Sequence, residues 1–211
     1  MKAVLATTVA MLTLATAAHA VTTVSSTNGP DNTTQTVIFD FNSGAPAGLS
    51  GNYEITTGTA ADLFAAPLGD TTPYLVVPGN GTSGTAFLDL GKSYQNLSFY
   101  WGSIDTYNTV EFFTGANGTG TSLGAFSGGT IPLAPANGDQ GSVLNNRRVY
   151  FNFGADAAQS IRFSSSNIAF ELDDIATTNV PEPSTWATLI AGLTLVGLSM
   201  RRRERNRAVN A

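Results

Sequence analysis

Nowhere in residues 21–178 do apolar side chains recur at helical spacing. They fall instead into short runs cut by Gly, Asn and Pro: TVIFDF, YEIT, PYLVV, TAFLDL, NLSFYW, TVEFFT, RVYFNF, SIRFSS and IAFELDDIAT. Several runs alternate. Phe39 and Phe41 flank Asp40, and Val149, Phe151 and Phe153 flank Tyr150 and Asn152, as on a strand with one wet face. Nine such runs joined by short turns predict an all-β fold, an antiparallel β-sandwich of jelly-roll-like type. The 22 Gly, the 12 Phe and a charged fraction of 12% suit strands and tight turns better than helices. No internal repeat points to a propeller or solenoid. The 211 residues suffice for one domain with a real core. The sandwich is assigned to residues 36–178, and the polar stretch 21–35, VTTVSSTNGPDNTTQ, reads as a flexible lead.

Both ends of the chain differ from this body. Residues 1–20, MKAVLATTVAMLTLATAAHA, place one lysine before an apolar stretch and close on Ala18-His19-Ala20, a small-x-small cleavage site. They read as a signal peptide, removal of which takes away His19, the sole histidine. Near the other end, residues 184–200 form a seventeen-residue uncharged run. That is close to the lower limit of roughly 17–25 residues for a membrane span. Its leucines, isoleucine and valine cover all helical faces, which a soluble helix would not do. The arginines that follow in 201–207, beginning Arg201, Arg202 and Arg203, orient the span with its positive end cytoplasmic and the domain outside. Ahead of the span, Val180-Pro181-Glu182-Pro183 is a stiff, extended segment, its prolines unable to join regular secondary structure.

This order of parts, over residues 180–207, resembles the PEP-CTERM sorting signal of Gram-negative surface proteins. The resemblance implies recognition of the Pro-Glu-Pro motif by exosortase, an integral-membrane protease-transferase. It also implies passage through the inner membrane to the cell envelope, outer surface or extracellular matrix. The block YWGSIDTYNTVEFFTGANGTGTSLGAFSG, with FELDDIA further on, is similar to a subgroup of such surface proteins. No biochemical activity comes with that similarity.

Charge and residue content exclude several functions. Residues 21–180 hold four cations, Lys92, Arg147, Arg148 and Arg162, against thirteen carboxylates, which leaves no electrostatic footprint for nucleic acid. Cysteine is absent, so neither disulfides nor thiol chemistry is available. GNGTSG (residues 79–84) matches a dinucleotide-binding glycine pattern, but the strand-like TAFLDL follows where a helix is needed, so it reads as a hairpin loop. GTSLG (120–124) matches a nucleophile elbow around Ser122, yet no histidine remains to serve as its base. Carboxylates alone do not establish a glycosidase pair, and no enzymatic activity is expected.

The acidic run Glu171, Asp173, Asp174 stands out. Ile168, Phe170 and Leu172 share one parity and Ile175 has the other, so the strand must shift register near Asp173-Asp174, most simply by a bulge. FELDDIA also resembles the last strand of jelly-roll adhesion and carbohydrate-binding modules, where an aspartate holds a structural calcium against the first strand. That resemblance implies Asp40, Asp173 and Asp174 as calcium ligands, a staple suited to a chain without disulfides. Among the aromatic residues, Trp101 shares parity with Phe99 and belongs to the core, whereas Tyr100 and Tyr107 are the candidates for stacking on a sugar. The expected function is a structural or adhesive one linked to exopolysaccharide, the alternative a calcium-dependent carbohydrate-binding module. Ice binding ranks below both, because Thr57/Thr59 and Thr119/Thr121 are isolated pairs rather than an array.

Overall fold

The computed structural model describes residues 21–31, 33–178 and 189–194. Its strands are β1 (Thr23–Asn28), β2 (Thr36–Phe39), β3 (Leu49–Gly51), β4 (Glu54–Thr56), β5 (Tyr74–Val77) and β6 (Gly84–Tyr94) in the first half. They continue with β7 (Asn96–Gly102), β8 (Asn108–Phe113), β9 (Ser122–Ser127), β10 (Arg147–Asn152), β11 (Ala158–Ser165) and β12 (Phe170–Thr177). One sheet runs β1-β10-β7-β12-β5-β4, with β2 also on β12; the other runs β3-β6-β11-β8-β9. All pairings are antiparallel. The protein is therefore an all-β sandwich.

Aromatic residues from both sheets fill the space between them. Trp101 stacks on Phe170 with ring centroids 4.3 Å apart, and Phe163 meets Phe170 edge-on at 5.6 Å. Phe112 of the second sheet packs on Phe151 of the first at 4.6 Å. Such offset and edge-to-face pairs add to the burial of large apolar area that stabilises the fold. The inward parity read from Val149, Phe151 and Phe153 holds, each being essentially inaccessible. Trp101 is a core residue too.

Each of the nine apolar runs contains a strand, but three expectations change. TVIFDF stops at Phe39: the Asp40 carboxylate accepts the Asn42 amide at 3.2 Å, and Phe41, at φ 53°, turns its ring into the core. GNGTSG joins β5 and β6, which lie in different sheets, so it is a crossing loop rather than a hairpin. The lead at 21–35 is not loose. Its residues 23–28 form β1, paired with β10 over its full length, and the segment that follows crosses the outer face of the first sheet. There Asp31 takes the Arg148 guanidinium at 2.5 and 2.6 Å, and Gln35 accepts the Ser98 hydroxyl. Arg148 is 2% exposed, and a buried cation without a partner is costly, so the lead is held where its carboxylate is needed.

The bulge read from parity is present. Against β7 the register slips by one between Asp173 and Ala176, Asp174 takes φ 51°, and Ile175 returns to the core. β5 pairs with β12 along Phe170–Leu172, and β2 takes over along Ile175–Thr177. At the end of β12, Asn96 accepts the Thr178 amide at 2.8 Å and the Thr177 hydroxyl at 3.1 Å.

The signal peptide with Ala18 and Ala20, the motif Val180, Pro181, Glu182 and Pro183, and the arginines Arg201, Arg202 and Arg203 lie outside the described residues. Of the predicted span, residues 189–194 are helical, with Leu189, Ile190 and Leu193 exposed. Among the described residues no helix is long and apolar enough to cross a membrane.

Candidate functional site

The outer face of the first sheet is covered, and this decides where polar side chains go. β12 sends Phe170 and Leu172 inward and Glu171 and Asp173 outward, while the segment between β4 and β5 folds over that outer side. Tyr74 and Val76 of β5 pack beneath it with Phe64, edge-on to Tyr74 at 6.4 Å. Glu171 and Asp173 are consequently 2% and 3% exposed. Carboxyls on the wet side of a sheet have become buried groups.

Glu171 is held by neutral donors. The Ala65 amide donates to its Oε1 at 3.0 Å and the Ser103 hydroxyl to its Oε2 at 2.8 Å. Burial pushes its carboxyl up to about 8, those two hydrogen bonds working against the rise and Asp105 adding to it. Above it opens a pocket of about 340 Å³ walled by the loops β4–β5, β7–β8, β9–β10 and β11–β12. Asp105 and Tyr107 form one wall. The Tyr107 hydroxyl lies 2.6 Å from Asp105 Oδ2 and 2.8 Å from the Ile168 carbonyl. Asn137 bridges to Asp105 through the backbone, and Gly138 beyond it has φ 71°. A Cβ there would come within 2.5 Å of the Asp105 carboxylate, so a glycine lets this loop close against it. The Asn146 side chain ties two walls together by accepting the Leu68 amide at 2.9 Å and the Ser103 amide at 3.1 Å. Phe64, Leu63 and Gln140 complete the rim.

Asp173 sits in a closed cluster. Its Oδ1 accepts the Asp174 amide at 2.7 Å, and its Oδ2 accepts the Thr72 hydroxyl at 3.1 Å. Thr72 also donates to Asp70 Oδ1, through its amide at 2.8 Å, while Asp70 Oδ2 is buried without a hydrogen-bond partner among the described residues. Burial first, then the charges of Asp174 and Asp70, push the Asp173 carboxyl up to about 8.

The residues singled out in the sequence are thus distributed. Asp173 and Asp174 come together, Asp174 also lending its carbonyl to Arg148 at 2.9 Å, and Asp40, exposed just beyond β2, lies near enough for its charge to raise the Asp174 carboxyl. Among the described residues no group of three or more His, Cys, Asp or Glu is arranged to hold a metal. Tyr100 does not fit a stacking role: it is 2% exposed and donates its hydroxyl to the Leu68 carbonyl at 2.7 Å, because β7 lies inside a sheet with both faces covered. Tyr107 is half-buried and lines the pocket. Ser122 begins β9 and donates to Glu111 at 2.6 Å, as an ordinary strand residue. Sequence reasoning missed the pocket. The one available signal was Glu171, out of phase with the core residues on either side of it.

Comparison with known proteins adds the address. Residues 179–203 match the PEP-CTERM protein-sorting motif. A motif of this kind implies export, processing by the membrane protein exosortase, and a surface or extracellular destination. No curated protein matches the chain. A solved structure titled "CpGH89CBM32-6 produced by Clostridium perfringens" is similar at 16% identity with a TM-score of 0.31, covering 62% of this chain and 93% of that one.

Proposed function

We propose that this is a non-enzymatic surface or matrix protein whose sandwich adheres to exopolysaccharide through the pocket above Glu171. In this reading the chain crosses the inner membrane behind its signal peptide and is held there transiently by the span at 184–200. An exosortase-like membrane protease then processes it for the envelope, outer surface or medium. The sandwich is read as a jelly roll, supported by the interleaving of β5 to β12 as β5-β12-β7-β10 and β6-β11-β8-β9, a two-sheet Greek-key order.

One observation carries the adhesive reading. β12 begins beside the pocket and ends at Thr177, just ahead of the matched residues 179–203. Its eight residues separate the two points by about 25 Å. The pocket therefore opens at the opposite end of β12 from Thr177, the strand end after which the sorting signal follows in sequence, and in this reading a polymer outside the cell is reachable while the chain is still anchored. The pocket also has the mixed polar and aromatic lining, and a volume within the roughly 300–1,000 Å³, of small-ligand sites.

Two measurements test this reading. Replacing Pro181, Glu182 and Pro183 by alanine should abolish processing and surface delivery, followed by cell fractionation and by size; unchanged delivery would sink the sorting claim. The full chain in detergent should bind exopolysaccharide fragments and release no new reducing ends from them. Reducing-end release would make it an enzyme. The calcium alternative rests on Asp40, Asp173 and Asp174 and is tested by melting, below.

A further inference from the structure

The pocket's lining carries one sign of charge. Asp62, Asp105 and Glu171 contribute carboxyls, and no Lys or Arg is among the lining residues. The described cations are engaged elsewhere: Arg148 with Asp31, Arg162 with Glu111, Arg147 with Ser26 and Asn28, and Lys92 over the Tyr94 ring at 5.3 Å. Among the described residues no cation supplies a counter-charge to this cavity. Beside the carboxyls stand an apolar wall, Phe64 and Leu63, with Leu63 58% exposed, and the amide of Gln140. A ligand that fits has an apolar face for that wall, hydroxyls for the amide, and a positive group for the carboxyl floor. An anionic sugar is disfavoured, since like charge in a recessed site costs more than at the surface.

We propose that the pocket binds a sugar bearing a protonated amino group, as found along a partly deacetylated amino-sugar polysaccharide. The ammonium sits between Glu171 and Asp105, and on binding Glu171 releases to solvent the proton that burial retains in the empty site. Asp62, exposed at the rim, adds attraction without being needed for folding. This inference rests on the glycan-adhesion reading and narrows its ligand.

The test is calorimetric titration of the full chain in detergent at about pH 6, below the titration of such an amine. Three probes are compared: glucosamine oligosaccharides, their N-acetylated counterparts and neutral glucose oligosaccharides. Glucosamine oligomers should bind at least about tenfold more tightly than the acetylated ones. Glu171→Gln should abolish that preference, and Asp62→Asn, which cannot disturb the buried network, should weaken it about threefold. Asp40→Asn, an exposed carboxylate outside the pocket, should change nothing. Equal binding of amine and acetylated oligomers overturns the inference and leaves the adhesion reading standing. Binding of none of the three removes both. An effect of Asp40→Asn as large as that of Asp62→Asn shows diffuse attraction to an acidic protein and overturns the inference as well.

Discussion

Glu171 and Asp173 stand two residues apart on the same outward face of β12, are equally buried, and are both pushed up to about 8, yet their surroundings differ. Asp173 faces other carboxyls and a threonine in a closed cluster. Glu171 faces neutral donors on one side and an open pocket on the other. Burial alone therefore does not mark a functional carboxyl. What distinguishes the two is whether the space next to the group is filled by the protein itself.

The comparison is stressed most by pH. Both carboxyls hold their protons more tightly folded than in the unfolded chain, where they titrate near pH 4. Their stabilising effect is thus whole below about pH 4 and is lost as pH rises through the window up to about 8. Denaturant unfolding should lose on the order of 5 kcal/mol between about pH 5 and 9, with Asp174 and Asp105, both also raised by burial, adding in the same direction. A flat profile would show that the two groups are ionised when folded. Next in size is the closed end alone. Asp31→Ala strands the buried Arg148 and should cost roughly 3–5 kcal/mol, read as a lower denaturation midpoint.

Single changes then separate the two carboxyls. Asp173→Asn and Glu171→Gln should each remove about half of the pH response. Only Glu171→Gln should alter glycan binding; a binding defect in Asp173→Asn would merge the two regions into one site. Tyr107→Phe loses the hydroxyl's contacts with Asp105 and the Ile168 carbonyl and should cost about 1 kcal/mol, read as a Tm lower by about 2–4 °C, with weaker glycan binding. Smallest is calcium. Among the described residues no group of three or more His, Cys, Asp or Glu is arranged to hold a metal, so the melting midpoint should be the same in calcium and in chelator. A rise in calcium would instead put a cation among the Asp40, Asp173 and Asp174 carboxyls.

Much was legible from the sequence where a local pattern has one structural solution. Alternation fixed the inward faces of β7, β10 and β12, and the parity break at Ile175 required the register slip that occurs at Asp174. The weaker signals failed for physical reasons. β1 is a Ser/Thr-rich edge strand with little apolar content, and its place depends on a free edge of β10 supplied more than a hundred residues later. Tyr100 looked exposed because alternation reports only which face a residue occupies, and loops buried the second face. The pocket is written in four loops that are unrelated in sequence and meet only because the strands bring their ends together.

By itself, then, the sequence determined the all-β class, the pattern of the core and the sorting motif at 179–203, each set by local residue order. Only the tertiary structure decided that the lead is a strand and a strap, and that β12 carries one open and one closed carboxyl site. It alone set the pocket at the end of β12 opposite Thr177. Those outcomes depend on long-range pairing and on what covers the outer face of a sheet, and a period-two pattern encodes neither.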